Sequence, residues 1–175
     1  DMQGLSRRFM GFVVLVALLG LFVVGAPVSA AMVDANHDYI SIISSGEEVP
    51  FNDAGTYGWA TYHINADGQS MTYTLWLNAI NNPVAAHIHV GGIGVNGPVV
   101  VPLYSSKDSG AVGGVLSSGT ITAANLDGPL KGKTIDDLFA AMKSGNAYTN
   151  VHTAKSPGGE SRGQIHSDEV GRLLG

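Results

Sequence analysis

Two histidines, His87 and His89, stand two apart in Ala86-His87-Ile88-His89-Val90. In an extended strand this spacing sends both imidazoles from one face with Cα atoms about 6.6 Å apart, close enough to share one metal ion. His152, on a late strand, is the candidate third imidazole, with His166 behind it. Three neutral imidazoles with an open position suit copper or zinc. The same histidines also fit a plainer role, hydrogen-bonding to nearby backbone and bracing the glycine-rich stretch after His89, and a His-x-His pair alone does not separate the two. His63 and His37 read as surface residues.

Glu160 and Arg162 occupy alternate positions and can face one side, either as a catalytic pair or as an ion pair or hydrogen-bond clamp tying residues 157–160 to a sheet. The clamp is the expectation. Glu47 and Glu48, before Val49-Pro50, read as loop carboxylates that accept backbone donors. No Ser-His-Asp constellation, phosphate loop or dinucleotide fingerprint occurs, so no catalytic role is expected.

The elements that must hold these side chains are mostly strands. Apolar alternation of period two recurs between Gly, Asn, Asp and Pro clusters and predicts strands over 39–44, 55–64, 70–77, 85–90, 99–104, 115–122, 147–153 and 161–167. Pro102 lacks a ladder donor and marks its strand as an edge. In 70–77 the alternation groups Met71, Tyr73, Leu75 and Leu77 on one side and Trp76 on the other. Trp59 or Trp76, with Tyr73, Leu75, Ile88 and Ile165, is expected in the core. One helix interrupts the strands: Thr134 can cap it, Asp137 follows three residues on, and Ile135, Leu138, Phe139 and Met142 form one apolar stripe before Gly145.

Composition agrees with many short strands. Of 175 residues 24 are glycine, and charged residues make up only 13%. The net charge of -5, with no cluster of Lys and Arg among aromatics, excludes nucleic acid as the expected partner. The absence of cysteine removes disulfides, thiolate metal ligands and a lipoprotein anchor, leaving the domain to its apolar core.

Upstream, Phe9 to Met32 carries no charged side chain and follows directly on Arg7-Arg8. Its strongest part, residues 9–26, spans about 27 Å as a helix, near the thickness of a hydrocarbon core. Val28-Ser29-Ala30 before Ala31 would also suit a cleaved signal. A retained transmembrane helix is the reading adopted, with Gly11, Gly20 and Gly25 letting another membrane helix approach. Either way the two arginines leave the N-terminus cytoplasmic and the domain outside, in the periplasm or beyond the cell.

Five ordered motifs then identify the soluble part. They are Ser45-Gly46-Glu47-Glu48-Val49-Pro50, Ala86-His87-Ile88-His89-Val90-Gly91, Gly94-Val95-Asn96-Gly97-Pro98-Val99-Val100, residues 145–153 (GNAYTNVHT) and residues 157–165 (PGGESRGQI). Together they resemble the chordin-type (CHRD) domain over residues 38–167, departing at Phe51, where proline is often repeated, and at Ser161, where an aliphatic residue is usual. The resemblance implies a Greek-key antiparallel β-sandwich similar to that of the copper-zinc superoxide dismutases, in which a His-x-His arrangement supplies copper ligands. Dismutase activity is not expected here, because the chain is acidic and lacks an electropositive funnel and an evident zinc loop.

The expected organisation is a hydrophobic helix over 1–33, a joint at 34–37, a mainly β sandwich with one short helix over 38–168, and a tail at 169–175. The leading expectation is a non-catalytic, membrane-anchored module serving as an accessory or structural subunit of a larger membrane protein complex beside integral-membrane proteins, with respiratory and photosynthetic complexes among the candidate hosts. The alternative is a periplasmic copper- or zinc-binding protein that uses His87, His89 and His152.

Overall fold

The computed structural model describes residues 38–168 of the chain. The expected membrane helix with Gly11, Gly20 and Gly25, the joint, His37 and the tail lie outside the described residues. Among those described, no helix is long and apolar enough to cross a membrane.

Eight strands form: β1 (Tyr39–Ser44), β2 (Tyr57–Ile64), β3 (Ser70–Asn81), β4 (Pro83–Val90), β5 (Val99–Ser105), β6 (Ala111–Thr122), β7 (Ala147–Thr153) and β8 (Ser161–Ser167). All the pairings are antiparallel, in the order β5-β4-β7-β8-β1-β2-β3-β6. The two expected sheets are therefore one. The reason lies in β1, which bonds to β2 through one edge and to β8 through the other, so no gap opens between the walls.

The curled sheet brings its two end strands together without a ladder between them. Side chains bridge this seam: Tyr73 Oη and Ser117 Oγ, from β3 and β6, each donate to the Leu103 carbonyl of β5 at 2.7 Å. Pro102, next to that carbonyl, has no N–H to offer a ladder, in keeping with β5 at an end of the order.

Alternation decides what fills the interior. Ile43, Ala60, Tyr62, Met71, Leu75, Leu77, Ala86, Ile88, Val151 and Ile165 are all buried there. Tyr62 is the largest, and its hydroxyl reaches Thr149 Oγ1 at 2.7 Å across the core, so the buried phenol keeps a partner. Leu75, Ile88 and Ile165 occupy the expected positions, and Tyr73 packs partly buried against them. The tryptophans do not. The inward face of β2 is Gly58, Ala60 and Tyr62, so Trp59 points outward, opposite Trp76 of β3, and the two rings stack 6.0 Å apart at 8°.

The helix α1 (Ile135–Lys143) starts where the capping residues require. Asp137 Oδ2 accepts from the Thr134 backbone N–H and hydroxyl at 2.9 and 2.8 Å, and the Asp137 N–H returns to the Thr134 carbonyl. Ile135, Leu138 and Met142 are buried in the core cluster, and Phe139 packs against it.

Because Leu75 is wholly buried while the Trp pair stacks on the outside, the two classes of side chain should respond differently to truncation. Leu75→Ala is expected to cost about 2–5 kcal/mol in urea denaturation. Trp59→Ala should cost only about 0.5–1.5 kcal/mol, the value of one aromatic pair. Equal losses would show that the outer face carries the core's load.

Candidate metal centre

The sheet that packs the core inward aims a row of imidazoles outward. Within β4, Ala86 and Ile88 are fully buried, which obliges His87 and His89 to project from the opposite face. Register does the rest. β7 pairs His87 with Asn150, His89 with Tyr148 and Ala85 with His152, so His152 lies diagonally beside His87 on the same outer face.

The three ring centroids are 5.0, 5.6 and 5.9 Å apart. One ligating nitrogen from each of His87, His89 and His152 falls within 4.8 Å of the other two. Bonds of about 2.0–2.1 Å to a shared ion would draw such nitrogens to about 3.4 Å from one another, a side-chain adjustment that leaves the strands in place.

Two loop carbonyls fix the tautomers. His89 Nδ1 lies 2.8 Å from the Gly97 carbonyl, and His152 Nδ1 lies 3.1 Å from the Pro157 carbonyl. A carbonyl only accepts, so each Nδ1 carries the proton and each Nε2 keeps its lone pair. His89 Nε2 is buried and has no hydrogen-bond partner. His152 Nε2 meets His87 Nδ1 at 3.1 Å, and with its proton moved to Nε2 His87 would present that Nδ1 as the third donor. Metal-ligating histidines are usually oriented this way, by a carbonyl on the second ring nitrogen.

The carbonyls are themselves held. Tyr148 Oη accepts from the Gly97 N–H at 3.0 Å, and the Tyr148 ring stacks on His89 at 4.9 Å and 15°. A Cβ at Gly97 would run into the Val90 carbonyl, so only glycine lets the loop pass this close to β4. On the other side, Glu160 accepts from Thr56 Oγ1 at 2.8 Å and Thr153 Oγ1 at 2.7 Å, pinning the loop that carries Pro157. Beneath both loops Glu48 accepts from Asn150 Nδ2 at 3.0 Å and from the Val49 N–H at 2.9 Å.

Glu160 and Arg162 thus clamp different loops. Arg162 donates to Asn96 Oδ1 and to the Val95 carbonyl, at 3.1 and 3.3 Å, and no ion pair joins it to Glu160 among the described residues. Glu47 is exposed, and of the two neighbouring glutamates it is Glu48 that is buried. His166, the next candidate after His152, does not join the cluster: it lies on β8, next to β7, but the pairing of Tyr148 with Gln164 carries it past the end of β7, far along the sheet from His152. His63 is half-buried beside Asp38, at 3.1 Å. Glu48 accepts a backbone donor as its place before Val49-Pro50 suggested, whereas Tyr148 and Asn150 are the supporting residues that sequence reasoning missed; period two in β7 puts both on the face of His152, which was the available signal.

Burial lowers the proton affinity of all three imidazoles. For His87 desolvation leads, helped by His152 and His89, and carries its pKa down to about 4. His89 and His152 move the same way, chiefly by desolvation, each partly opposed by its carbonyl hydrogen bond. The cluster is neutral at pH 7, the state that ligates metal.

Fold and site together define a small, curled antiparallel β-domain with an imidazole cluster on its outer face. The sequence matches the family of the CHRD domain over residues 39–165, and the chain belongs to that family. Comparison with curated proteins and with solved structures found no match.

A pH dependence follows for the metal-free protein. A histidine whose folded pKa lies below its unfolded value of about 6.5 binds its proton more readily in the unfolded chain, so stability is full above pH 6.5 and falls as pH drops toward 4. Urea midpoints measured from pH 7.5 to 4 should decline across that window, and His87→Gln should flatten the decline. An equally steep decline in the variant would assign the effect to other groups.

Proposed function

We propose that this chain is a non-catalytic extracytoplasmic CHRD module that holds one copper or zinc ion on His87, His89 and His152. The observation that carries this reading is the buried, unpartnered Nε2 of His89, on a ring whose proton is committed at Nδ1 to Gly97 and which lies 5.6 and 5.9 Å, centroid to centroid, from two further imidazoles. A buried acceptor without a partner costs about 1–3 kcal/mol, and a shared ion removes that cost. The donor set contains no thiolate and no carboxylate, which suits copper or zinc rather than calcium or magnesium. Purified protein treated with chelator and then offered Cu(II) or Zn(II) should take up one ion per chain. His89→Ala should lose it, while His63→Ala, remote in register from the cluster, should keep it. Binding that survives in His89→Ala would overturn the reading and leave the histidines as loop braces.

Anchoring is the second part of the proposal. Its support is in the sequence: an uncharged run over residues 9–32 directly after Arg7-Arg8, with glycines at 11, 20 and 25 that suit close helix contact. The module would then stand on the outer side of a membrane as an accessory subunit beside integral-membrane proteins. In native membranes the protein should resist a carbonate wash and co-purify in mild detergent with at least one integral-membrane protein. A mature N-terminus at Ala31 would instead describe a released periplasmic or secreted domain.

A further inference from the structure

On the same outer face a pocket of about 310 Å³ opens over β1 and β8, separated from the imidazole cluster by Tyr148, which stacks on His89 and lies under Arg162. Ile40 and Ile42 from β1 and Ile93 from the loop after β4 form its apolar wall, with Ser44 of β1 and His166 of β8 also lining it. Arg162 and Gln164 of β8 supply polar groups, and Glu47 stands at the rim.

Arg162 is the unusual element. It is only 2% exposed, yet its partners are all neutral: the Asn96 amide oxygen, the Val95 carbonyl and the Tyr148 ring, whose centroid lies 3.6 Å from the guanidinium carbon. Guanidinium has five N–H donors, and two of them are seen donating among the described residues. Buried cations are normally paired with an anion, whereas both hydrogen bonds from this one go to neutral oxygens. Gln164 is also poised. Both of its amide hydrogens go to backbone carbonyls, Gly91 at 2.9 Å and Gly145 at 2.7 Å, which leaves its side-chain oxygen as an acceptor. The pocket therefore combines a cation bonded to neutral partners, an amide acceptor, a rim carboxylate, a hydroxyl, an imidazole and a branched aliphatic wall.

The geometry points to a binding site for a small apolar α-amino acid, its carboxylate on Arg162, its ammonium toward Glu47 and the Gln164 oxygen, and its side chain against Ile40, Ile42 and Ile93. Arg prefers carboxylate as a planar, two-pronged partner, and the volume falls at the small end of ligand sites, about 300–1,000 Å³. A plain fatty carboxylate would leave Glu47 repelling it; an amine without a carboxylate would leave Arg162 unpaired.

The site is tested with L-leucine, 4-methylpentanoate and L-leucinamide, following the isoleucine methyl signals of the full chain by NMR titration. Leucine should shift those of Ile40, Ile42 and Ile93 saturably. 4-Methylpentanoate should bind at least roughly tenfold more weakly, and leucinamide should produce no saturable shift. Arg162→Gln should abolish binding, but Arg162 also holds the loop at Val95 and Asn96, so Ile42→Glu is the cleaner variant. Ile42 is 57% exposed, and a glutamate there would offer Arg162 an internal carboxylate and block the pocket without disturbing the core. Loss of leucine binding in Ile42→Glu, with an unchanged urea midpoint, supports the site. No saturable shift with leucine in the wild-type protein, equal binding of leucinamide or 4-methylpentanoate, or unaltered binding in Ile42→Glu would overturn it.

Discussion

The register between β4 and β7 is the constraint on which the rest depends. Ile88 and Val151 face the core from these strands while His87, His89 and His152 face away, and both assignments follow from a single pairing, His87 with Asn150. A slip of one residue would turn the imidazoles inward and the aliphatic side chains out. The apolar interior thus fixes the outer site: the free energy that buries Ile88 also holds two histidines on the opposite face, at no separate cost in ordering them.

Register places the rings but does not orient them. That task falls to Gly97 and Pro157, whose carbonyls each hold one imidazole proton. Both belong to loops, where backbone is easily moved, and each loop is tied down by buried polar side chains. Arg162 and Tyr148 secure the first, and Glu160 with its two threonines secures the second. Removing any one of these groups leaves a buried donor or acceptor unmatched, which makes the polar layer stiff. A rigid layer of this kind is what preorganised ligands require.

Much of this was legible in the sequence. β1, β7 and β8 begin and end where alternation predicts, and α1 begins directly after its capping threonine. His87 and His89 share a face because period two leaves no alternative. What periodicity could not say was which face of β2 turns inward. Trp59 looked like core by its size, but Ala60 and Tyr62 alternate equally well, and only the pairing with β3 decides between them. Long-range pairing also hid the single sheet, since β1 and β8 are joined from opposite ends of the domain. It hid the fate of His166 as well, which sits on β8, the strand next to β7, but beyond the end of β7 and away from His152. Glu48, Asn150 and Tyr148 gain their roles from loops folded over the sheet, and no local pattern encodes where a loop comes to rest.

The central claim is that three imidazoles on this outer face form one metal centre. Anomalous diffraction from crystals of the full chain grown with Cu(II) or Zn(II), recorded on both sides of the metal's absorption edge, tests it most directly. The account predicts a single strong peak about 2.0–2.1 Å from His87 Nδ1, His89 Nε2 and His152 Nε2, with the Gly97 and Pro157 hydrogen bonds intact. A peak elsewhere, or none between the three rings while His87 and His152 remain bonded to each other, would contradict it.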